Sequence, residues 1–156
     1  MLHIIAKYLA KTSVTTVYLG WIIAALYLVF VVAQLVTFET MPSIASVILP
    51  NELVPYSVLL VAVFATMEVF ALPFLLGMRL SVGFRLLSAL LAFCVAAGIV
   101  YIGMITAHTS FGFPYNTGLL GESIPLIGGW WLAWFGFGIL VLLGWYTASV
   151  YAENSR

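Results

Sequence analysis

Glu68 is the one formally charged side chain that falls deep inside an apolar stretch of this 156-residue chain. Counted from Pro55 to Met78, it stands 13 residues from one end and 10 from the other. A charge at mid-bilayer depth costs about 3 kcal/mol even on permissive insertion scales, so such residues face a bundle interior or a wet cavity. Desolvation favours the neutral acid, which suits a proton carrier or a hydrogen-bond donor to a buried ligand. Pro73, five residues on, has no amide hydrogen and leaves the carbonyl of Val69 without its helical partner. Inside a membrane such carbonyls are re-satisfied by neighbouring helices, hydroxyls or water. By depth alone, Tyr27 in the first apolar stretch and Tyr101 in the third reach Glu68, with Thr66 and Gln34 as further polar candidates. Two roles stay open for the acid: a ligand or proton site, or a protonated group whose hydrogen bond locks helix packing.

Other chemistry is sparse. The chain contains no Asp, so no Ser-His-Asp set can form, and no phosphate-cradling glycine loop is present. Cys94 is the single cysteine, which excludes an intramolecular disulfide or CxxC chemistry and reads as a small packing residue. No metal site is expected, since His3 and His108 fall on opposite sides of the bilayer in the four-span arrangement. No catalytic residue is assigned, and an accessory or structural role is expected over an enzymatic one.

What must position Glu68 is a set of membrane helices. With 65% hydrophobic and 6% charged residues, the chain lacks the charged skin of a soluble domain. A span needs roughly 20 apolar residues, and four stretches qualify: 14–38, 55–78, 86–107 and 129–151. The first is too long for the apolar region of a signal peptide and is read as a retained span. All five basic residues then share one side: Lys7 and Lys11 before span one, Arg79 and Arg85 between spans two and three, and Arg156 after span four. Glu39, Glu52 and Glu122 fall on the other side. Basic residues near span ends are retained in the cytoplasm, so both termini are expected there, in the cell (inner) membrane. The expected fold is an all-α integral membrane protein, one domain over 1–156, built as an antiparallel four-transmembrane-helix bundle. Residues 1–13, with His3, Lys7 and Lys11 on one face, suit either a short interfacial helix or a frayed tail.

The outer connections are 39–54 and 108–128. The second is rich in turn formers and aromatics, and Phe111, Phe113 and Tyr115 are expected to cover the outer mouth or meet a partner. Trp21, Tyr56, Trp130, Trp131, Trp145, Tyr146 and Tyr151 fit aromatic belts at the two interfaces. Ala92 and Ala96 on span three, and Gly136, Gly138 and Gly144 on span four, read as close helix packing. Net charge is zero and no basic, aromatic-interleaved patch suggests nucleic acid.

The run Leu49-Pro50, Leu53-Val54-Pro55, Glu68, Leu72, Leu75-Leu76-Gly77 and Arg85 before an Ala/Leu-rich third span resembles the DoxX/MauE-like family of small four-span membrane proteins. The likeness covers Leu49 to Phe93, and Glu68 to Gly77 keeps the family's spacing between its acid and glycine. The resemblance implies a membrane bundle associated with redox partners, DoxX-like members being linked to quinone-coupled sulfur oxidation and MauE-like members to maturation of a disulfide-rich periplasmic dehydrogenase subunit. Many MauE-like proteins carry a cysteine motif after span three. Here that loop reads Ser110-Phe111-Gly112-Phe113-Pro114, which argues against a thiol relay within this chain.

Three functions follow. The first is an accessory subunit of a membrane redox assembly, with a quinone- or lipid-facing pocket near Glu68, no intrinsic cofactor, and outer loops that dock membrane or periplasmic redox subunits. The second is a proton-coupled small-molecule transporter acting as a dimer through Glu68. The third is a purely structural lipid-facing subunit of an electron-transfer or light-harvesting complex.

Overall fold

The computed structural model describes residues 14–40, 42, 45–46, 49–78, 80–109 and 128–154. Four long helices account for most of them: α1 (Val14–Val36), α2 (Ser57–Leu75), α3 (Val82–Thr109) and α4 (Trp130–Asn154). A 3-10 turn, Val54–Tyr56, leads into α2, with Pro55 in the first turn, where a missing amide hydrogen breaks nothing. No strand occurs among the described residues. All four helices are long and apolar enough to cross a membrane, which marks a multi-pass membrane protein.

The helices pack as a ring, α1 on α2, α2 on α3, α3 on α4 and α4 back on α1. One apolar cluster fills the middle, drawing on Ile23, Tyr27 and Phe30 of α1, Ala71 and Phe74 of α2, Ala92, Val95 and Ile99 of α3, and Leu132, Ile139 and Leu143 of α4. Inward residues recur every third or fourth position, as in Leu132, Gly136, Ile139, Leu143 and Tyr146. The polarity is the reverse of a soluble bundle. Thr16, Gln34, Ser57, Glu68, Ser88 and Thr106 are buried, while Leu28, Val32, Leu59, Leu90, Trp134 and Trp145 face outward. With lipid as solvent, polar groups gain by turning inward and packing is left to small residues and close contacts.

The element ends differ from the sequence estimate for local reasons. Span two stops at Leu75, short of Met78, because Gly77 adopts a left-handed φ of 65°. Its amide donates to the Phe74 carbonyl (3.1 Å) and that of Met78 to the Pro73 carbonyl (3.0 Å). This Schellman pairing closes the helix, and glycine takes it without steric penalty. Helix α3 begins earlier than expected, at Val82, because Ser81 caps it: the Phe84 amide donates to Ser81 Oγ (3.4 Å) and that of Arg85 to the Ser81 carbonyl (2.9 Å). Arg85 therefore lies in the first turns of the helix, not before it.

Near Pro73 the α2 backbone is supported from its neighbours. Ser88 Oγ of α3 accepts the Phe74 amide (3.1 Å) and donates to the Phe70 carbonyl (2.6 Å), so one hydroxyl bridges the rungs beside the proline. Tyr146 of α4, expected in the inner aromatic belt, is buried instead and donates to the Phe74 and Leu75 carbonyls (3.1 and 3.3 Å). Its ring also meets Phe74 edge-on at 5.3 Å. Ser88→Ala is expected to lower unfolding free energy by about 1 kcal/mol, the net value of a buried hydrogen bond discounted for the membrane setting. Thermal unfolding in mild detergent measures it, and an unchanged midpoint would mean that the helix closes this gap alone.

Close approaches knit the ring together. A Cβ on Gly103 would lie 2.7 Å from the Ala133 Cα, one on Gly136 would lie 2.8 Å from the Val100 amide nitrogen, and one on Gly20 would lie 2.5 Å from the Leu75 carbonyl oxygen. Gly138 and Gly144, expected to serve the same purpose, have open space around them. At the far end of α3, Thr106 Oγ1 accepts the Gly129 amide (2.9 Å) and ties the start of α4 to α3.

Candidate functional site

Glu68 sits on the inward face of α2, in the series Val61, Ala65, Glu68, Ala71 and Leu75. It is seven residues before Leu75, about 10 Å at helical rise, and so nearer that end than the sequence count placed it. Gln34 sits on the inward face of α1, one heptad after Tyr27. Both are sealed from the surface, Glu68 at 0% and Gln34 at 1% exposure.

The two side chains meet. Gln34 Nε2 donates to Glu68 Oε1 at 3.2 Å. Their remaining oxygens, Gln34 Oε1 and Glu68 Oε2, are buried without a hydrogen-bond partner among the described residues. Buried polar atoms are almost always partnered, so two orphans on two bonded side chains mark a place where a further donor belongs.

Of the tyrosines considered beside Glu68, neither gives it a hydrogen bond. Tyr27 is buried, but its hydroxyl crosses the core to the Ala92 carbonyl of α3 (2.8 Å). Tyr101 is 55% exposed on the outward face of α3. Thr66 is also turned outward and bonds back to the Ala62 carbonyl (2.7 Å), one turn earlier. Pro73 belongs to the helix end, where its carbonyl is used by Met78. Cys94 faces outward as well. Phe111, Phe113 and Tyr115 lie outside the described residues, as do Lys7, Lys11, Arg79, Glu122 and Arg156.

Chemically the arrangement is an acid and an amide buried beside an apolar core. It can hold or release a proton and donate or accept a hydrogen bond. Among the described residues no group of three or more His, Cys, Asp or Glu is placed to hold a metal ion. Ser88 and Tyr146 were not singled out as bridging groups from the sequence. Pro73 calls for donors from facing helices, but the carbonyl it frees is that of Val69, whereas the bonds of Ser88 and Tyr146 go to Phe70, Ala71, Phe74 and Leu75.

No protein-family model, no characterised protein and no solved structure matches this chain.

Proposed function

We propose that the chain is a DoxX/MauE-like accessory subunit of a redox assembly in the cell (inner) membrane, in which the Glu68–Gln34 pair is an internal polar clasp beside a surface that receives lipid or quinone. The observation that carries this reading is the complete burial of Glu68 on Gln34. Proton-coupled transport needs alternating wet access to its carboxylate. An acid sealed at 0% exposure fits better with a subunit that organises its neighbours. The outward faces, with Tyr101, Trp134 and Trp145 exposed at span depth, supply surface for other membrane subunits. Phe111, Phe113 and Tyr115 on the connection after span three would dock the periplasmic partner.

The same proposal takes the helices as antiparallel neighbours with both termini in the cytoplasm. Contact order supports the first part. Gly20 lies by Leu75 and Gln34 by Glu68, Ser88 by Phe74 and Gly98 by Phe64, Gly103 by Ala133 and Gly136 by Val100, each pair running in reverse along the chain. The one-sided distribution of Lys and Arg supports the second.

Affinity purification of the full chain from membranes in mild detergent is expected to bring down a redox enzyme or cytochrome in stoichiometric amount. Recovery of the chain alone, with neither lipid nor quinone bound, overturns the proposal. Proton release on adding a transported small molecule, abolished by Glu68→Gln, would replace it with the transporter.

A further inference from the structure

We propose that Glu68 and Gln34 together bind one proton, carried on Glu68 Oε2 and donated to Gln34 Oε1, so that acid and amide close a two-bond ring that latches α1 to α2. The inference rests on the inward placement of Glu68 used above, but not on any redox partner.

An ionised carboxylate offers only acceptor sites, whereas a neutral acid adds one donor. The pair shares one bond, Gln34 Nε2 to Glu68 Oε1 at 3.2 Å, and leaves one acceptor oxygen on each residue unused. With Glu68 ionised, both orphans are acceptors sealed from the surface, and no described residue satisfies either. A single hydrogen resolves both at once, because an acid O–H is the complement of an amide carbonyl just as an amide N–H is the complement of an acid carbonyl. The ring closes for either assignment of the Gln34 nitrogen and oxygen, since the acid can carry its proton on either oxygen.

The other titratable or charged groups on the packed elements are already committed or distant. Tyr27 of α1 gives its hydroxyl to Ala92, and Tyr146 of α4 gives its own to Phe74 and Leu75. Arg85 of α3 is half-buried near the start of its helix, about two turns or ~12 Å by helical rise from the level, between Ser88 and Gly98, that faces Glu68. The α3 face turned to the core otherwise presents Ala92, Val95, Ala96 and Ile99. Among the described residues, Glu68 is thus a buried acid bonded to a residue that still has an unused acceptor, Gln34 Oε1. Loss of the Glu68 proton removes one of the two bonds and sets two acceptor oxygens in opposition, leaving the Gln34 Nε2 bond alone, so the α1–α2 contact is complete on the acid side and weakens as pH rises.

Infrared difference spectra of the full chain in lipid nanodiscs test this. Wild type minus Glu68→Gln is expected to show the carbonyl band of a neutral carboxylic acid at neutral pH. Gln34→Leu is expected to shift that band to higher wavenumber as the ring is lost. Glu68→Gln preserves a two-bond ring as an amide pair, so its unfolding midpoint should match wild type near neutral pH and lose the alkaline decline that wild type shows. Should Gln34→Leu not fold, Gln34→Glu, which can form a pair of neutral acids, is expected to fold and show a second acid band. Carboxylate bands from Glu68 at neutral pH, as a bound water or cation would produce, overturn the proposal. So does an acid band that Gln34→Leu leaves unmoved. Neither result depends on what co-purifies with the chain.

Discussion

Gly103→Val is expected to destabilise the protein by about 3 kcal/mol, at the upper end for overpacking, and to cut the yield of monodisperse protein in mild detergent. A Cβ at this position would meet the backbone of Ala133 and Leu132, not the tip of a movable side chain, so the helices themselves must part. The same seam carries Gly136 against Val100 and the Thr106 bond to Gly129, and a displaced crossing strains both. Gly138→Val is the matched control on α4. Its Cβ would enter open space, and its unfolding midpoint is expected to stay close to wild type. Equal tolerance at the two positions would show that α3 and α4 are not in this register.

The second large effect is expected at the polar pair. Gln34→Leu removes the single described partner of Glu68 and leaves a fully buried acid unsatisfied, at about 2 kcal/mol. Glu68→Leu strands Gln34 in the same way. The double variant should recover most of the loss, because replacing both partners by apolar groups of similar shape leaves nothing unpaired. Reversible unfolding in mixed micelles gives the full cycle. Additive losses in the double variant would mean that the two side chains do not act on each other.

Four spans were readable from the sequence because a membrane helix announces itself by length and apolar content alone. Their ends were less so. The stop at Leu75 depends on the left-handed turn at Gly77, and the start at Val82 on the hydroxyl of Ser81, both local effects smaller than the hydropathy signal around them. Glu68 stood out because a charge in hydrocarbon is costly wherever it points. Its partner was harder to choose. Tyr27, Tyr101, Thr66 and Gln34 all suit by depth, and rotation about each helix axis decides among them: Gln34 and Tyr27 turn inward, while Tyr101 and Thr66 turn out. When nearly every residue on every face is apolar, the pattern that fixes rotation in a soluble helix is faint. The glycines show the same limit. Gly103 and Gly138 look alike in sequence, and only the position of a neighbouring backbone separates a required glycine from an incidental one.

Tyr146 has a bearing on how the protein is made. The carbonyls of Phe74 and Leu75 receive its hydroxyl from a residue that leaves the ribosome about 70 positions later. Until α4 has entered the membrane, the Phe74 carbonyl has the Gly77 amide, but neither it nor the Leu75 carbonyl has this hydroxyl. Helices α1 to α3 thus lack this tie during synthesis until α4 is translated, and α4 then completes the end of α2.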